Sequence, residues 1–261
     1  MLAESATAQE TIRVGGTGTG TLLIQHLSRT YSKLHPDAQV KVIMPPMGSN
    51  GSLRALAAGA IELAIVTFPS IYPVKPGDAG ENNVIPWART PLVFTGRSIV
   101  SGTKMNQDQV EEIYFGRIAQ WPNGKQIRLI TRSERESDTR ILRAITPDMD
   151  AAVMSSVGRS AMPFAENDID NQQQLERIPG SFGAIGFGQL LLKESPLHPV
   201  SLDGVVPSAA SLQSGAYRIE KPLNLVTGKS PSPATMEFVR YLQSPGVIRS
   251  IRRYGFIPMQ R

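Results

Sequence analysis

Ile12-Arg13-Val14-Gly15-Gly16-Thr17-Gly18-Thr19-Gly20-Thr21-Leu22 passes from a short strand pattern, through a glycine–threonine turn, into a helical pattern that runs on to Leu34. A turn built from glycines and three threonines exposes backbone N–H groups and hydroxyls at the start of a helix. The first N–H groups of a helix lack intrahelical partners, and the macrodipole places partial positive charge there, so this geometry suits an anion. Two further small-residue turns, Gly48-Ser49-Asn50-Gly51-Ser52 and Ser137-Asp138-Thr139-Arg140, also open helical patterns. Three such corners meeting at one cleft would form a receptor for a small oxyanion.

Working outward, strand and helix patterns alternate. Ile12–Val14 reads as a strand, and Leu23, Leu27, Tyr31 and Leu34 form a helical stripe closed by His35-Pro36-Asp37. Val40–Met44 is the next strand; Leu53, Leu56 and Ala57 mark a short helix that ends at Gly59; Leu63–Val66 is a buried strand. This βαβαβ order is the seed of a parallel sheet covered by helices. Residues 71–83 read as a loop around Pro73, Pro76 and Gly77. Beyond it the pattern predicts a strand over Trp87–Thr95 and a helix over Met105–Phe115 stopped by Gly116. A strand over Gln126–Thr131 then feeds the turn at Arg132–Arg140, and helix continues through Leu142 and Ile145 and on over 147–159. Gly183–Phe187 reads as a short strand leading into a helical piece, followed by a long irregular section. Pro222–Thr227 is a strand, Ser232-Pro233 starts a helix, and a second helix resumes after Ser244-Pro245 and runs until Gly255.

Composition narrows the class. At 261 residues, with 41% hydrophobic and 19% charged side chains, the chain can bury one large core or two smaller ones. No apolar run approaches the roughly 20 residues needed to span a bilayer. Met1–Glu10 lacks the basic start and apolar stretch of an export signal, and reads as a processed start with an added initiator Met. Cysteine is absent, which excludes disulfides, thiolate chemistry and cysteine-held metals; the three histidines, His26, His35 and His198, have no metal-ligand spacing. A net charge of +5 favours anionic partners, but aromatics are only 6% and do not interleave with basic residues as single-stranded nucleic acid requires.

Two nucleotide motifs are near misses. A dinucleotide fingerprint would place glycine at position 21, where this chain has Thr21, and an acidic residue after the second strand, where it has Ile43-Met44-Pro45. The spacing from Gly15 to Gly20-Thr21 approaches a phosphate loop but lacks its lysine. The run Arg132-Ser133-Glu134-Arg135-Glu136-Ser137-Asp138-Thr139-Arg140 offers a planar cation and hydroxyls suited to an oxyanion; its plainer reading is a solvated charged loop capping a helix.

The order of motifs resembles the periplasmic phosphate-binding receptors of ABC importers, within the type II solute-binding fold. The glycine–threonine turn, the helix closing on His35-Pro36, the Gly48-Ser49-Asn50-Gly51 turn and the strand end from Ala64 to Pro69 carry it first. Glu111-Glu112-Ile113-Tyr114-Phe115-Gly116-Arg117-Ile118 with Trp121, the Arg132 loop, and Pro179-Gly180-Ser181-Phe182-Gly183-Ala184-Ile185-Gly186-Phe187 follow. Pro222-Leu223, Leu225-Val226-Thr227 and the closing Gly255-Phe256-Ile257-Pro258 complete the series. Each motif is weak by itself; the full ordered series is strong.

The resemblance implies an α/β fold of two lobes, each a mostly parallel sheet flanked by helices, with a ligand cleft between them. Lobe one would comprise residues 11–89 and 224–261, and lobe two residues 90–223. It implies capture of phosphate or a related tetrahedral oxyanion and delivery to an ABC-type membrane permease, with neither catalysis, cofactor nor metal. It also implies action as a monomer in the periplasm or outside the cell, the export signal having been removed. The implied ligand residues are Thr17, Gly18, Thr19, Ser49, Thr67, Arg132, Ser137, Asp138 and Thr139.

There are departures from the family pattern. Thr67 stands where one branch carries an aspartate, Asp138 stands where the family has glycine, and the interval from Arg132 to Thr139 is one residue longer. A carboxylate beside an oxyanion accepts only from a protonated ligand, so losing it weakens rejection of sulfate. Asp138 either takes over that acceptor role or caps its helix facing away. These departures keep a second function open: an extracellular interaction or signalling module on the same fold. Arg249, Arg252 and Arg253 read as a solvated face, with contact to a transporter or anionic lipid as the lesser alternative, and Trp87 and Trp121 as packing residues.

Overall fold

The computed structural model describes residues 10–67, 82–159 and 162–259. The loop expected over 71–83 lies outside them except for its last two residues, as do Phe68 and Pro69. The first segment is built as β1 (Glu10–Gly16), α1 (Gly18–Leu34), β2 (Ala38–Val42), α2 (Gly48–Ala57) and β3 (Leu63–Val66). The long β4 (Asn83–Thr95) leads into β5 (Lys104–Met105), α3 (Gln107–Phe115), β6 (Arg128–Leu129), α4 (Ser137–Arg143) and α5 (Pro147–Ser156). Then come α6 (Asp168–Arg177), β7 (Ser181–Gly186), α7 (Phe187–Leu192), β8 (Ser201–Leu202) and α8 (Ala209–Gln213). The chain returns through β9 (Glu220–Thr227) and ends with α9 (Pro233–Leu242), α10 (Pro245–Arg253) and β10 (Ile257–Pro258).

The main sheet has the order β2-β1-β3-β9-β4-β7-β6, with β10 beside β4. Its outer pairs, β1 with β2 and β3, and β6 with β7, are parallel. The pairs that connect the halves are antiparallel, because β4 and β9 run past each other from Asn83↔Thr227 to Pro91↔Glu220. From Leu92 to Thr95, β4 pairs with β7 instead. One apolar cluster includes Phe94, Ile113, Tyr114, Leu142, Met149, Leu175 and Phe182; another includes Ile12, Leu23, Tyr31, Ile65, Trp87, Leu225, Phe238 and Phe256. The fold is thus mixed α/β in two halves, each with its own core, joined by two crossing strands. Trp87 and Trp121 are packing residues: both are buried, and their indole N–H groups donate to the Leu242 and Gly180 carbonyls.

Several elements differ from the sequence reading for identifiable reasons. α1 begins at Gly18 rather than Leu22, because the Thr17 hydroxyl caps the Gly20 N–H and makes the turn the first turn of the helix. α3 begins at Gln107, since Lys104-Met105 pair with Ser201-Leu202 and Asn106 forms a capping box with Gln109. The stretch expected as one strand over Gln126–Thr131 divides its pairing: Gln126 bridges Gln120, Arg128-Leu129 pair with β7, and Thr131 bridges Phe164. α6 and α8 were not expected.

Candidate functional site

The site starts where β1 meets α1. Gly16 lies against β3 so closely that a Cβ there would sit 2.5 Å from the Ile65 carbonyl oxygen. The Thr17 N–H donates to that same carbonyl at 3.0 Å. Thr17 spends its hydroxyl on the cap, which leaves the Thr19 N–H free for an acceptor from elsewhere. That acceptor is Asp168 Oδ2, at 3.0 Å. The Thr19 hydroxyl lies between Asp168 Oδ2, at 3.2 Å, and Gln189 Oε1, at 2.8 Å. At position 18, a Cβ would be 2.6 Å from the Asp168 Cβ, so glycine is what lets α6 come this close to α1.

Two cations meet the same carboxylate. Arg132, just past β6, donates through Nη1 to Asp168 Oδ1 at 2.6 Å and Asp138 Oδ2 at 3.2 Å, and through Nη2 to Glu136 Oε2 at 2.7 Å. Lys221 on β9 places Nζ 2.7 Å from Asp138 Oδ1 and 2.9 Å from Asp168 Oδ2. Lys221 is 0% exposed, so an unpaired ammonium could not persist there; its burial depends on carboxylate pairing, which Asp138 and Asp168 supply.

Burial and pairing split the protonation behaviour of the two aspartates. Burial pushes Asp168 up, but Lys221, Arg132 and the hydrogen bonds from Lys221 and the Thr19 N–H outweigh it, and hold the carboxyl well below the usual range. Asp138 goes the other way. Burial, reinforced by the charge of Asp168, outweighs Lys221 and Arg132 and raises it. Glu136 is raised for the same leading reason, burial. Burial works to lower both Arg132 and Lys221, yet the surrounding carboxylates raise both.

The second and third corners meet each other across the halves. Ser49, in the first turn of α2, accepts the Thr67 N–H at 3.0 Å, and its Oγ lies 3.0 Å from Ser137 Oγ at the start of α4. Next to them, Thr139 lines a void of ≈ 20 Å³ together with Tyr114, Thr131, Arg132, Asp138 and Asn171. Thr67 Oγ1 and Arg132 Nε are buried with no hydrogen-bond partner. Such atoms are costly to bury, and both are unused donors beside the cluster. A groove of ≈ 570 Å³ opens elsewhere, lined by Ile141, Ile145, Leu202, Tyr217 and Arg218 among others, and shares no residue with the cluster.

The three turns therefore converge. Thr17, Gly18 and Thr19 stand at α1, Ser49 and Thr67 at α2 and β3, and Arg132, Ser137, Asp138 and Thr139 around α4. Of the two readings of Asp138, the one with it capping its helix and facing away does not hold: Glu136 occupies the cap position without a side-chain cap bond, while Asp138 turns inward to Lys221 and Arg132. Sequence reasoning missed Asp168, Lys221 and Gln189. For Asp168 a signal existed. Asn167 before Asp168 and Asp170, with Arg177 seven residues on, has the cap and charge order of a helix.

Comparison with known proteins agrees with this fold. Over 262 aligned residues, 97% of this chain and 82% of the relative, the chain is 23% identical to the phosphate-binding protein PstS of Bacillus subtilis (strain 168). A Clostridium perfringens protein described as a phosphate ABC transporter substrate-binding protein, with bound phosphate, superposes with a TM-score of 0.79 at 12% identity. The match covers 96% of this chain and all (100%) of that one. An ABC-type phosphate transport receptor from Vibrio cholerae superposes at 0.66 with 17% identity, covering 95% and 100% of the respective chains. At these identities the likeness establishes a shared fold. Residues 3–245 match the family described as the PBP superfamily domain, and the chain belongs to that family.

Proposed function

We propose that this protein is a receptor that captures phosphate, or a related tetrahedral oxyanion, between its two halves and hands it to the permease of an ABC importer. The observation that carries the reading is the meeting of the Thr19 N–H with Arg132 and Lys221 around a carboxylate: the cleft already holds an anionic group. The names of the relatives, phosphate-binding protein and phosphate transport receptor, support the same ligand class. No bond is made or broken in this function. Recognition comes from fixed dipoles, hydroxyls and cations set before the ligand arrives.

The ligand residues on this reading are Thr17, Gly18, Thr19, Ser49, Thr67, Arg132, Ser137, Asp138 and Thr139, with Lys221 added. Lobe one is residues 11–89 and 224–261 and lobe two residues 90–223, a division supported by the separate apolar clusters of the two halves, with Leu223 at the boundary packing into that of lobe one. The receptor works as a monomer on the outer side of the cytoplasmic membrane, where such importers collect their cargo.

One observation favours the second reading, an interaction module that has given up small ligands: Asp168 already takes the Thr19 N–H, Arg132 Nη1 and Lys221 Nζ. Isothermal titration with phosphate, sulfate, molybdate and a phosphonate separates the two. Saturable one-to-one binding without turnover supports the receptor; silence toward all four supports the module.

A further inference from the structure

Resting on that reading, we infer that Asp168 is a displaceable internal anion: it occupies the receptor's donor site, closes the two halves together, and leaves when the ligand enters. Its carboxylate takes the Thr19 N–H, the Lys221 ammonium and the Arg132 guanidinium, groups contributed by α1, β9 and the segment after β6. These are the donors an oxyanion would use. The contact also joins the halves, since Thr19 belongs to the half with α1 and Asp168 to α6 of the other.

Asp168 is free to leave for two reasons. It is not needed at the start of its own helix, because Asn167 accepts the Ile169 and Asp170 N–H groups there. Its departure also does not strand the cations. Lys221 keeps Asp138 at 2.7 Å, and Arg132 keeps Glu136 at 2.7 Å and Asp138 at 3.2 Å.

The consequence is specificity. A ligand offering only what a carboxylate offers gains nothing by replacing one. A tetrahedral anion has further oxygens for the two buried donors that Asp168 leaves unused, Thr67 Oγ1 and Arg132 Nε. Asp168 thus sets a threshold that planar carboxylates do not pass. It also lowers the apparent affinity by the fraction of molecules in which it has swung away.

The test compares wild type with Asp168→Ala. In titrations with inorganic phosphate, Asp168→Ala is expected to bind at least about tenfold more tightly, and to bind acetate where wild type does not. Without ligand, small-angle scattering should show a larger radius of gyration for the variant. Wild-type binding of phosphate with equal or weaker binding by Asp168→Ala overturns the inference and leaves the receptor reading intact. Phosphate silence in both proteins defeats the receptor reading; the clasp is then judged on scattering alone, where equal radii overturn it. Should Asp168→Ala not fold, carboxyl-13C-aspartate wild type decides. The Asp168 resonance moves on phosphate saturation if Asp168 is displaced, and an unmoved resonance overturns the inference.

Discussion

Asp168 Oδ2 accepts the Thr19 backbone N–H at 3.0 Å, so a carboxylate from one half of the molecule closes the helix N-terminus of the other. Helix α1 begins with glycines and threonines and has no acidic residue in its first turn, leaving its positive end without local compensation. The compensating charge comes from 149 positions away along the chain. Because that charge is shared with Lys221 and Arg132, the energetics of the helix end, the buried lysine and the inter-half contact are tied to one side chain.

Gly18→Ala tests the close approach of α1 and α6. In an unhindered helix this change would stabilise by up to about 1 kcal/mol. Here the new Cβ falls 2.6 Å from the Asp168 Cβ and 3.3 Å from its Cα, so the helices must separate. Urea unfolding should show a net loss of about 1–3 kcal/mol. A neutral or stabilised variant would mean the two helices are not held at this distance.

Lys221→Met leaves Asp138 and Asp168 facing each other with one cation fewer. Breaking a buried ion pair from one side costs about 3–5 kcal/mol, most of it from the charge left behind. The loss should shrink in Lys221→Met/Asp138→Asn, where one of the stranded carboxylates is gone. Equal losses in the single and double variants would place Lys221 outside the cluster.

The two aspartates should titrate on opposite sides of the ordinary aspartate value, about 3.9. Asp168, held low in the folded protein, contributes stability that is whole above that value and is lost as pH falls toward its folded pKa. Asp138, raised in the folded protein, gives the opposite slope. As pH falls through its folded pKa the folded state binds a proton the unfolded state does not, and gains stability until the ordinary value is reached. Carboxyl-13C titration checks both; Asp138 ionising below Asp168 would contradict the assignment.

Ser137→Ala removes one hydroxyl of the Ser49–Ser137 pair that links α2 to α4. As one neutral hydrogen bond at the proposed ligand site, it should weaken phosphate binding by about 1 kcal/mol, roughly five- to tenfold, and change unfolding stability much less. Unchanged phosphate affinity would remove Ser137 from the ligand set.

The sequence made the scaffold legible where periodicity and punctuation agreed: β3 over Leu63–Val66, α3 stopped by Gly116, α9 started by Ser232-Pro233. The three glycine- and hydroxyl-bearing corners were legible for the same reason. What escaped was α6. Its buried face is Asp168, Asn171, Gln172 and Leu175, held by hydrogen bonds such as Asn171 Nδ2 to the Ala184 carbonyl, so no apolar stripe marks it. Lys221 escaped because a lone lysine at the edge of an apolar strand looks like a surface residue until its partners are brought to it from α4 and α6.

The central claim, that these converging donors receive an oxyanion, is tested most directly by a crystal structure at saturating phosphate. The account predicts tetrahedral density within hydrogen-bond distance of the Thr19 N–H, Arg132 and Lys221, with Asp168 turned out of the cleft. Asp168 still bound to Thr19 and no phosphate between the halves would contradict it.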